Sequence, residues 1–398
     1  MNINQIIELD QLARKDVEKY HKKRTPYFKQ IRSSFGKHFV GITGPRGVGK
    51  TVLLKQLAYE LESSIYISID ALEEMDLFET CKALTTKYKI KYFLLDEIHF
   101  YRNFERDLKK IFDFLDVHLI FTSSVALAIV DSEYDLSRRV QKFNLYPFSF
   151  REYLYFKIDV DLPVLTISQI LNKEWSSEHV KYAYLFKDYI QGGLHPFSLE
   201  EPDILPLLKN ILNKIIQRDI PSVARLQVDE LEKINKVVQF IGHSEVGDIN
   251  YSTISNNIKI TKYKAEQYID LLKKSYVLNP LFPCGTNVLK EPKVLMYLPY
   301  RLLYKEYNDA VGALREDFCV EMIKMKMTDV HYLKSTRGAK TPDFLIKTKE
   351  GDIVLEVGGK GKGRSQFKGI GVDKKIRFLD SDETRGDVRP LHLLGYLV

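Results

Sequence analysis

The chain has 398 residues, a hydrophobic fraction of 44% and a formal net charge of +7. At roughly 100–200 residues per domain, this length predicts two to four domains. The sequence contains no apolar run of about 18 residues, which argues against a membrane-spanning helix. Residues 1–23 are polar and charged, and the three distant cysteines match neither a disulfide framework nor a zinc site. We therefore expect a cytoplasmic protein with no membrane partner.

Residues 38–153 alternate short apolar runs with helical patterns. The runs that are predicted to be strands are His38–Thr43, Ser64–Asp70, Lys91–Asp96, His118–Ser124 and Phe143–Phe148. Strands that alternate with crossover helices are typical of a parallel sheet. Near-continuous apolar strands are typical of a sheet that is covered on both faces. The sequence therefore predicts an α/β domain here.

A glycine-rich segment follows the first predicted strand and opens a helical pattern. It matches G-x-x-x-x-G-K-[ST] and comprises Gly44, Pro45, Arg46, Gly47, Val48, Gly49, Lys50 and Thr51. Glycines let phosphate oxygens approach backbone N–H groups closely, and the positive end of the new helix favours an anion. We expect Lys50 to contact the β- and γ-phosphates of ATP and Thr51 to bind Mg²⁺. The alternative is a glycine turn that binds no ligand.

The third predicted strand ends in two acids, Asp96 and Glu97. Ligands of open parallel sheets bind at the carboxyl ends of the strands, so both acids are expected beside the glycine-rich segment. Asp96 would complete the Mg²⁺ shell, commonly through water. Glu97 would act as the general base that polarises the attacking water.

Two further groups fit a hydrolysing site. The fourth predicted strand ends in Thr122, Ser123 and Ser124, whose hydroxyls would sense the γ-phosphate or, alternatively, only cap the strand. Arg138 and Arg139 follow a polar loop, and a guanidinium that reaches a γ-phosphate would stabilise the transition state. The alternative for these arginines is a solvated basic pair. Of the two, Arg138 is favoured as the arginine finger, the residue that contacts the γ-phosphate. An arginine finger that acts on the nucleotide of a neighbouring subunit requires a homo-oligomer.

These strings together resemble the AAA-type ATPases of bacteria and archaea that carry a winged helix and a C-terminal nuclease-like domain. The resemblance rests on residues 44–51, 95–98, 138–139 and 145–152, the last matching L-x-P-x-S-F-x-E, and on a glycine turn at 192–196. It implies a RecA-like P-loop ATPase domain at residues 1–155, with strand order 5-1-4-3-2. His99 departs from the family, which often has glutamine there.

Beyond this domain the chain divides into two further predicted segments. Residues 156–231 read as a helical linker or lid, and residues 232–305 show three helices followed by a hairpin, the order of a winged helix. These elements are Glu232–Ile241, Tyr251–Ile258, Lys262–Lys274 and Tyr276–Pro299. The third predicted helix has its apolar residues on one face, and the lysines that lie outside that face would suit contact with DNA. Acids on the same helix leave a protein-docking role open.

Residues 306–398 are predicted to form a C-terminal α/β domain. Its elements are a helix at Asp309–Lys326, strands at Val330–Lys334, Asp343–Lys347 and Asp352–Val357, and a helix that begins at Gln366. Residues 331–377 contain twelve Lys/Arg and five Asp/Glu, a balance equal to the net charge of the whole chain. Such a basic domain would bind nucleic acid through phosphate contacts. The alternative is a solvated basic surface.

The resemblance of this last domain to the PD-(D/E)XK fold implies a metal site formed by Glu316, Asp343 and Glu356. Such a site would activate water against a phosphodiester. However, the pattern needs lysine where this chain has Gly358, and only Lys360 or Lys362 on the next loop would reach back. The alternatives are an ATP-regulated nuclease and a degenerate fold used for binding, and the missing lysine favours the second. A slow nucleotide switch without nucleic acid also fits the sequence.

Overall fold

The computed structural model describes residues 3–36, 38–71, 76–124, 136, 138–245, 247, 249–285, 291–327, 329–333, 341–372 and 374–398. The chain divides into two compact units. The first consists of residues 1–146 and 217–225, and the second of residues 147–216 and 226–398. These units differ from the four predicted segments, because the first ends before residue 155 and includes a short stretch of the predicted linker.

The first unit is built on a parallel sheet. Its strands are β1 (Phe39–Thr43), β2 (Ser64–Ser68), β3 (Tyr92–Asp96), β4 (His118–Ser123) and β5 (Val140–Asn144). They pair in the order β2-β3-β4-β1-β5, which is the order 5-1-4-3-2 that the resemblance implied. The helices that precede and connect them are α1 (Ile3–Asp16), α2 (Thr25–Ser33), α3 (Lys50–Glu60), α4 (Leu77–Tyr88) and α5 (Phe104–Phe114).

Alternate side chains of this sheet contribute to two separate cores. Phe93 and Leu95 of β3 pack with apolar residues of α4 and α5. Leu94, between them, packs instead with residues of α3. Because successive side chains of a strand point to opposite faces, helices cover both faces, as the continuous apolar strands predicted.

The fifth strand was predicted too late in the chain. It spans Val140–Asn144 rather than Phe143–Phe148. Pro147 has no N–H for a sheet, and Ser149 forms a capping box with Glu152. The Ser149 N–H donates to Glu152 Oε2 at 3.1 Å, and the Glu152 N–H donates to Ser149 Oγ at 3.2 Å. The S-F-x-E string therefore starts a helix.

The second unit begins with helical elements. Its α-helices of four or more residues are α6 (Phe150–Ile158), α7 (Ile167–Asn172), α8 (Ser177–Lys181), α9 (Leu205–Lys214), α10 (Val228–His243), α11 (Tyr251–Ile258), α12 (Lys262–Lys274) and α13 (Tyr307–Lys326), as far as the chain is described. An antiparallel hairpin of β6 (Leu278–Leu281) and β7 (Lys293–Met296) follows α12. The order of α10, α11, α12 and this hairpin is the predicted one.

A second sheet ends this unit. Its strands are β8 (Val330–Tyr332), β9 (Phe344–Thr348), β10 (Gly351–Gly359), β11 (Lys374–Asp380) and β12 (Val388–Pro390), in the order β12-β11-β10-β9-β8. β8, β9 and β10 pair antiparallel, and β10, β11 and β12 pair in parallel. The helix predicted from Gln366 is wrong. A three-residue 3-10 turn, Ser365–Phe367, lies there, and Gly369 follows with a φ of 82°, a conformation that ends helices. Phe367 packs beside Leu345 and Val354 of the sheet.

The helices in the described part of the chain are all too short or too polar to cross a membrane.

Candidate nucleotide site

The glycine-rich segment forms the loop between β1 and α3. Gly49, which precedes α3, has a φ of 88°, a conformation that glycine adopts without strain. A Cβ at Gly44 would overlap the carbonyl oxygen of Leu145, so the close approach of these two segments needs glycine there. Because the first turn of a helix has N–H groups without intrahelical partners, α3 starts with donors that suit an anion.

Lys50 is the first residue of α3 and is only 5% exposed. Its Nζ donates hydrogen bonds to the carbonyl oxygens of Gly44 (2.8 Å) and Pro45 (2.9 Å). Burial lowers the pKa of Lys50, and the charge of Glu97 opposes that shift. A buried ammonium at the start of an anion-favouring helix fits the phosphate chain of a nucleotide.

Asp96 ends β3, where hydroxyl groups surround its buried carboxylate. Tyr66 Oη donates to Oδ2 at 2.9 Å, and Thr122 Oγ1 donates to Oδ1. The Thr51 hydroxyl also lowers the pKa of this carboxylate. Burial raises the pKa of Asp96, and these hydrogen bonds oppose that shift. The two predicted Mg²⁺ ligands, Thr51 and Asp96, therefore belong to one site. A paired hydroxyl and carboxylate suit this ion, which prefers oxygen ligands.

Glu97 follows β3 with a φ of 54°, in the left-handed region. A non-glycine residue there carries about 1–3 kcal/mol of strain, which often marks a functional position. Its carboxylate accepts a hydrogen bond from Ser124 Oγ at 2.8 Å and lies 3.7 Å from Arg46 Nη1. Burial raises the pKa of Glu97, but the charges of Lys50 and Arg46 outweigh it, so the pKa is lowered. Glu97 is therefore ionised, as a general base must be.

His99, the departure from the family pattern, lies beside this base. Its Nδ1 is 3.3 Å from Glu97 Oε2 and 3.3 Å from Ser123 Oγ. Burial lowers the pKa of His99 to about 4. The ring is therefore neutral at pH 7 and acts there as a hydrogen-bonding group rather than as a charge.

Thr122 contacts both acids. Its Oγ1 donates to Asp96 and accepts a hydrogen bond from the N–H of Glu97 at 2.9 Å. These contacts support a role in positioning Asp96 and Glu97, whereas the sequence suggested a sensor of the γ-phosphate or a strand cap. The neighbouring Ser124, through its bond to Glu97, acts on the same pair.

The arginine pair lies elsewhere in the first unit. Arg138 and Arg139 precede Val140, the amino end of β5, whereas the glycine-rich loop follows the carboxyl end of the adjacent β1. At about 3.3 Å per residue, the two ends of β5 are roughly 13 Å apart. Arg139 pairs with Asp113 (Nη2–Oδ1, 3.0 Å), and Arg138 is exposed. The structure therefore does not bring either arginine to the nucleotide site of its own chain.

The sequence did not indicate two residues of the site. Tyr66, on β2, anchors Asp96 as described above. Asp219 is fully buried and accepts hydrogen bonds from Arg46 through both carboxylate oxygens, the Nη2–Oδ1 distance being 2.8 Å. It lies 173 residues after Arg46 in sequence, and no motif or spacing connects the two. Only the return of residues 217–225 to the first unit brings them together.

Comparison with known families agrees with this geometry. Residues 36–154 match the family model described as an AAA domain. This segment is therefore similar to the AAA domains that the model describes. Residues 184–297 match a second model, which is described as a domain of unknown function (DUF8612). Asp219 lies within the second match and outside the first.

Similarity to other proteins extends beyond these two segments. An uncharacterized protein of Methanocaldococcus jannaschii is 26% identical over 91% of this chain and 85% of its own length. The Aeropyrum pernix ORC1 protein, solved in complex with DNA, aligns with 70% of this chain and 87% of its own (12% identity, TM-score 0.31). AMPPCP-bound DnaA from Aquifex aeolicus aligns with 65% of this chain and 90% of its own (17% identity, TM-score 0.29).

Lysine side chains pair with the three acids of the predicted C-terminal metal site. Lys362 Nζ lies 2.7 Å from Glu356 Oε1 and 3.3 Å from Asp343 Oδ2, and Lys293 Nζ lies 2.6 Å from Glu316 Oε2. Lys362 therefore does reach back from the loop. No group of three metal-binding side chains forms among the described residues. A metal ion at these acids would have to compete with the paired lysine ammonium groups.

Basic residues of α12 are also paired within the chain. Lys264 Nζ lies 2.6 Å from Glu230 Oε1, and Lys262 pairs with Glu291. The hydrogen bond from Lys264 lowers the pKa of Glu230 to about 2. A phosphate backbone would have to compete with these carboxylates, which weakens the case for contact between α12 and DNA.

Proposed function

We propose that the chain is a Mg²⁺-dependent ATPase whose first unit hydrolyses ATP. The observation that carries this proposal is the strand end of β3 beside the glycine-rich loop. There Thr122 joins Asp96 and Glu97 through hydrogen bonds, and Thr51 and Lys50 lie close enough to lower the pKa of Asp96 and of Glu97, respectively. Phosphate-binding, metal-binding and base residues therefore belong to one cluster.

Each residue has a definable task in this reaction. Lys50 and the N–H groups at the start of α3 would hold the phosphate chain, and Thr51 with Asp96 would hold Mg²⁺. The ion supplies charge neutralisation at the phosphate oxygens. Glu97 would accept a proton from the attacking water. Its own N–H bond to Thr122 and its carboxylate bond to Ser124 fix where that base lies.

In this proposal, the second unit responds to the ATP turnover of the first. The order of α10, α11, α12 and the β6-β7 hairpin supports a winged helix, and the sheet of β8 to β12 with α13 supports a nuclease-like fold used for binding. We propose that ATP turnover changes the conformation of these modules. The basic C-terminal residues make nucleic acid the partner class to test first.

Lys50→Ala should weaken ATP binding by about 10- to 100-fold, because a charge-assisted hydrogen bond contributes about 1.5–3 kcal/mol. Equilibrium binding of a fluorescent ATP analogue measures this. Lys82→Ala, which removes an exposed lysine that pairs with Glu79, is the matched control. Equal affinity of Lys50→Ala and the Lys82→Ala control would remove the phosphate contact from the proposal.

The full chain should leave DNA intact in Mg²⁺ or Mn²⁺, because Lys362 and Lys293 already pair with the acids of the C-terminal cluster. Incubation of supercoiled plasmid with wild-type protein and with Asp343→Ala tests this. Cleavage by the wild type that Asp343→Ala abolishes would establish a nuclease and contradict the expectation.

A further inference from the structure

The predicted base and the P-loop arginine form one charged group with a residue from much later in the chain. Arg46 is the third residue of the glycine-rich loop, and its side chain is 12% exposed. Its Nε and Nη2 donate to the two carboxylate oxygens of Asp219, while its Nη1 lies 3.7 Å from Glu97 Oε1. The guanidinium therefore stands between two carboxylates and is hydrogen-bonded to Asp219.

The segment that carries Asp219 is built into the first unit. The Arg218 guanidinium lies 4.5 Å from the centre of the Phe100 ring, and Ile220 is fully buried. Phe100 belongs to the short turn that follows Glu97. The segment therefore packs beside the turn that follows β3. The two residues that flank Asp219, Arg218 and Ile220, are both packed there.

We infer that Asp219 is a positioning residue for the hydrolysis reaction, acting through Arg46 on Glu97. This inference rests on the proposed ATPase function. A bidentate pair fixes the plane and charge of a guanidinium. Without it, the partly buried Arg46 would have Glu97 as its nearest carboxylate and would form a close ion pair with it. The carboxylate that must accept a proton from water would then be drawn towards Arg46.

The chain reaches this segment from residue 216 of the second unit and returns to that unit at residue 226. Asp219 also lies inside the match to the domain of unknown function. A residue from that part of the sequence would thereby set the geometry of the AAA-type site.

The test is a double-mutant cycle on ATP turnover in the full chain. Asp219→Asn should lower kcat by about tenfold or more, since small displacements of a catalytic group cost that much. KM for ATP should change little, because the phosphate-binding residues are untouched. Asp219→Glu should restore part of kcat. In an Arg46→Gln background, Asp219→Asn should have no further effect on kcat.

The control is Asp203→Asn, the same change at an exposed aspartate. Asp219→Asn with wild-type kcat would overturn the inference. An equal loss of kcat in the Arg46→Gln background would also overturn it, because Asp219 would then act without Arg46. If Asp219→Asn fails to fold, Asp219→Glu tests the inference in its place. A partial loss of kcat in Asp219→Glu that is absent in the Arg46→Gln background supports the inference. The same loss in both backgrounds, or no loss in either, overturns it. A wild-type chain without turnover overturns the proposed function itself, which separates the two failures.

Discussion

Glu97→Gln should hydrolyse ATP about 10²- to 10⁴-fold more slowly than the wild type, the range by which a general base accelerates a reaction. ATP should still bind, since the amide removes the proton acceptor and leaves Lys50 and Thr51 in place. Single-turnover hydrolysis measures the chemical step, and binding of labelled ATP measures the affinity. Glu79→Gln, a change at a glutamate that is 60% exposed, is the matched control.

Wild-type single-turnover rates in Glu97→Gln would show that another group activates the water.

The same variant also tests the arginine pair. Because Arg138 and Arg139 lie at the amino end of β5, a finger role requires a neighbouring subunit. A mixture of Glu97→Gln and Arg138→Ala should then regain turnover that neither protein shows alone. No recovery in the mixture would leave Arg138 without that role.

Arg301→Met should destabilise the second unit by about 3–5 kcal/mol, the usual cost of breaking a buried ion pair by removing one partner. Arg301 and Asp317 are fully buried and joined by two hydrogen bonds, of 2.8 and 3.1 Å. Arg301 Nη1 also donates to the carbonyl oxygen of Ile241, at the end of α10. One guanidinium therefore ties α10 to α13, the long helix of the C-terminal domain.

Chemical denaturation followed by tryptophan fluorescence measures this effect, since the single tryptophan, Trp175, is partly buried and packs against the core of the same unit. Lys305→Met is the control, because Lys305 pairs with the exposed Glu245 and such pairs contribute about 1 kcal/mol or less. The double variant Arg301→Met/Asp317→Leu should recover much of the loss, since apolar replacements of a buried pair are often neutral. An unchanged unfolding midpoint in Arg301→Met would contradict the stabilising role of this link between α10 and α13.

The sequence predicted the elements whose signals are local. The glycine-rich loop, the acids at the end of β3 and the helices Tyr251–Ile258 and Lys262–Lys274 lie where the sequence patterns placed them. Each follows from apolar periodicity or from backbone needs that a few neighbouring residues express. The shift of β5 also has a local cause. Pro147 has no N–H for a sheet, and the capping box of Ser149 and Glu152 starts a helix directly after the predicted strand.

The features that the sequence could not supply depend on distant contacts. Nothing near Asp219 indicates that it meets Arg46, and nothing near Lys293 indicates that it pairs with Glu316. Lys362 was one of two candidates to reach Glu356, and spacing alone did not choose between them. Tertiary packing decides such pairs, so they become visible only once the chain is folded.

The central claim is ATP hydrolysis at the site of Lys50, Asp96 and Glu97. Phosphate release from ATP by the purified full chain, measured with Mg²⁺ and with EDTA, tests it most directly. We expect release that requires Mg²⁺ and that Lys50→Ala abolishes, with Lys82→Ala behaving as the wild type. Release by the wild type no greater than that of Lys50→Ala would contradict the claim.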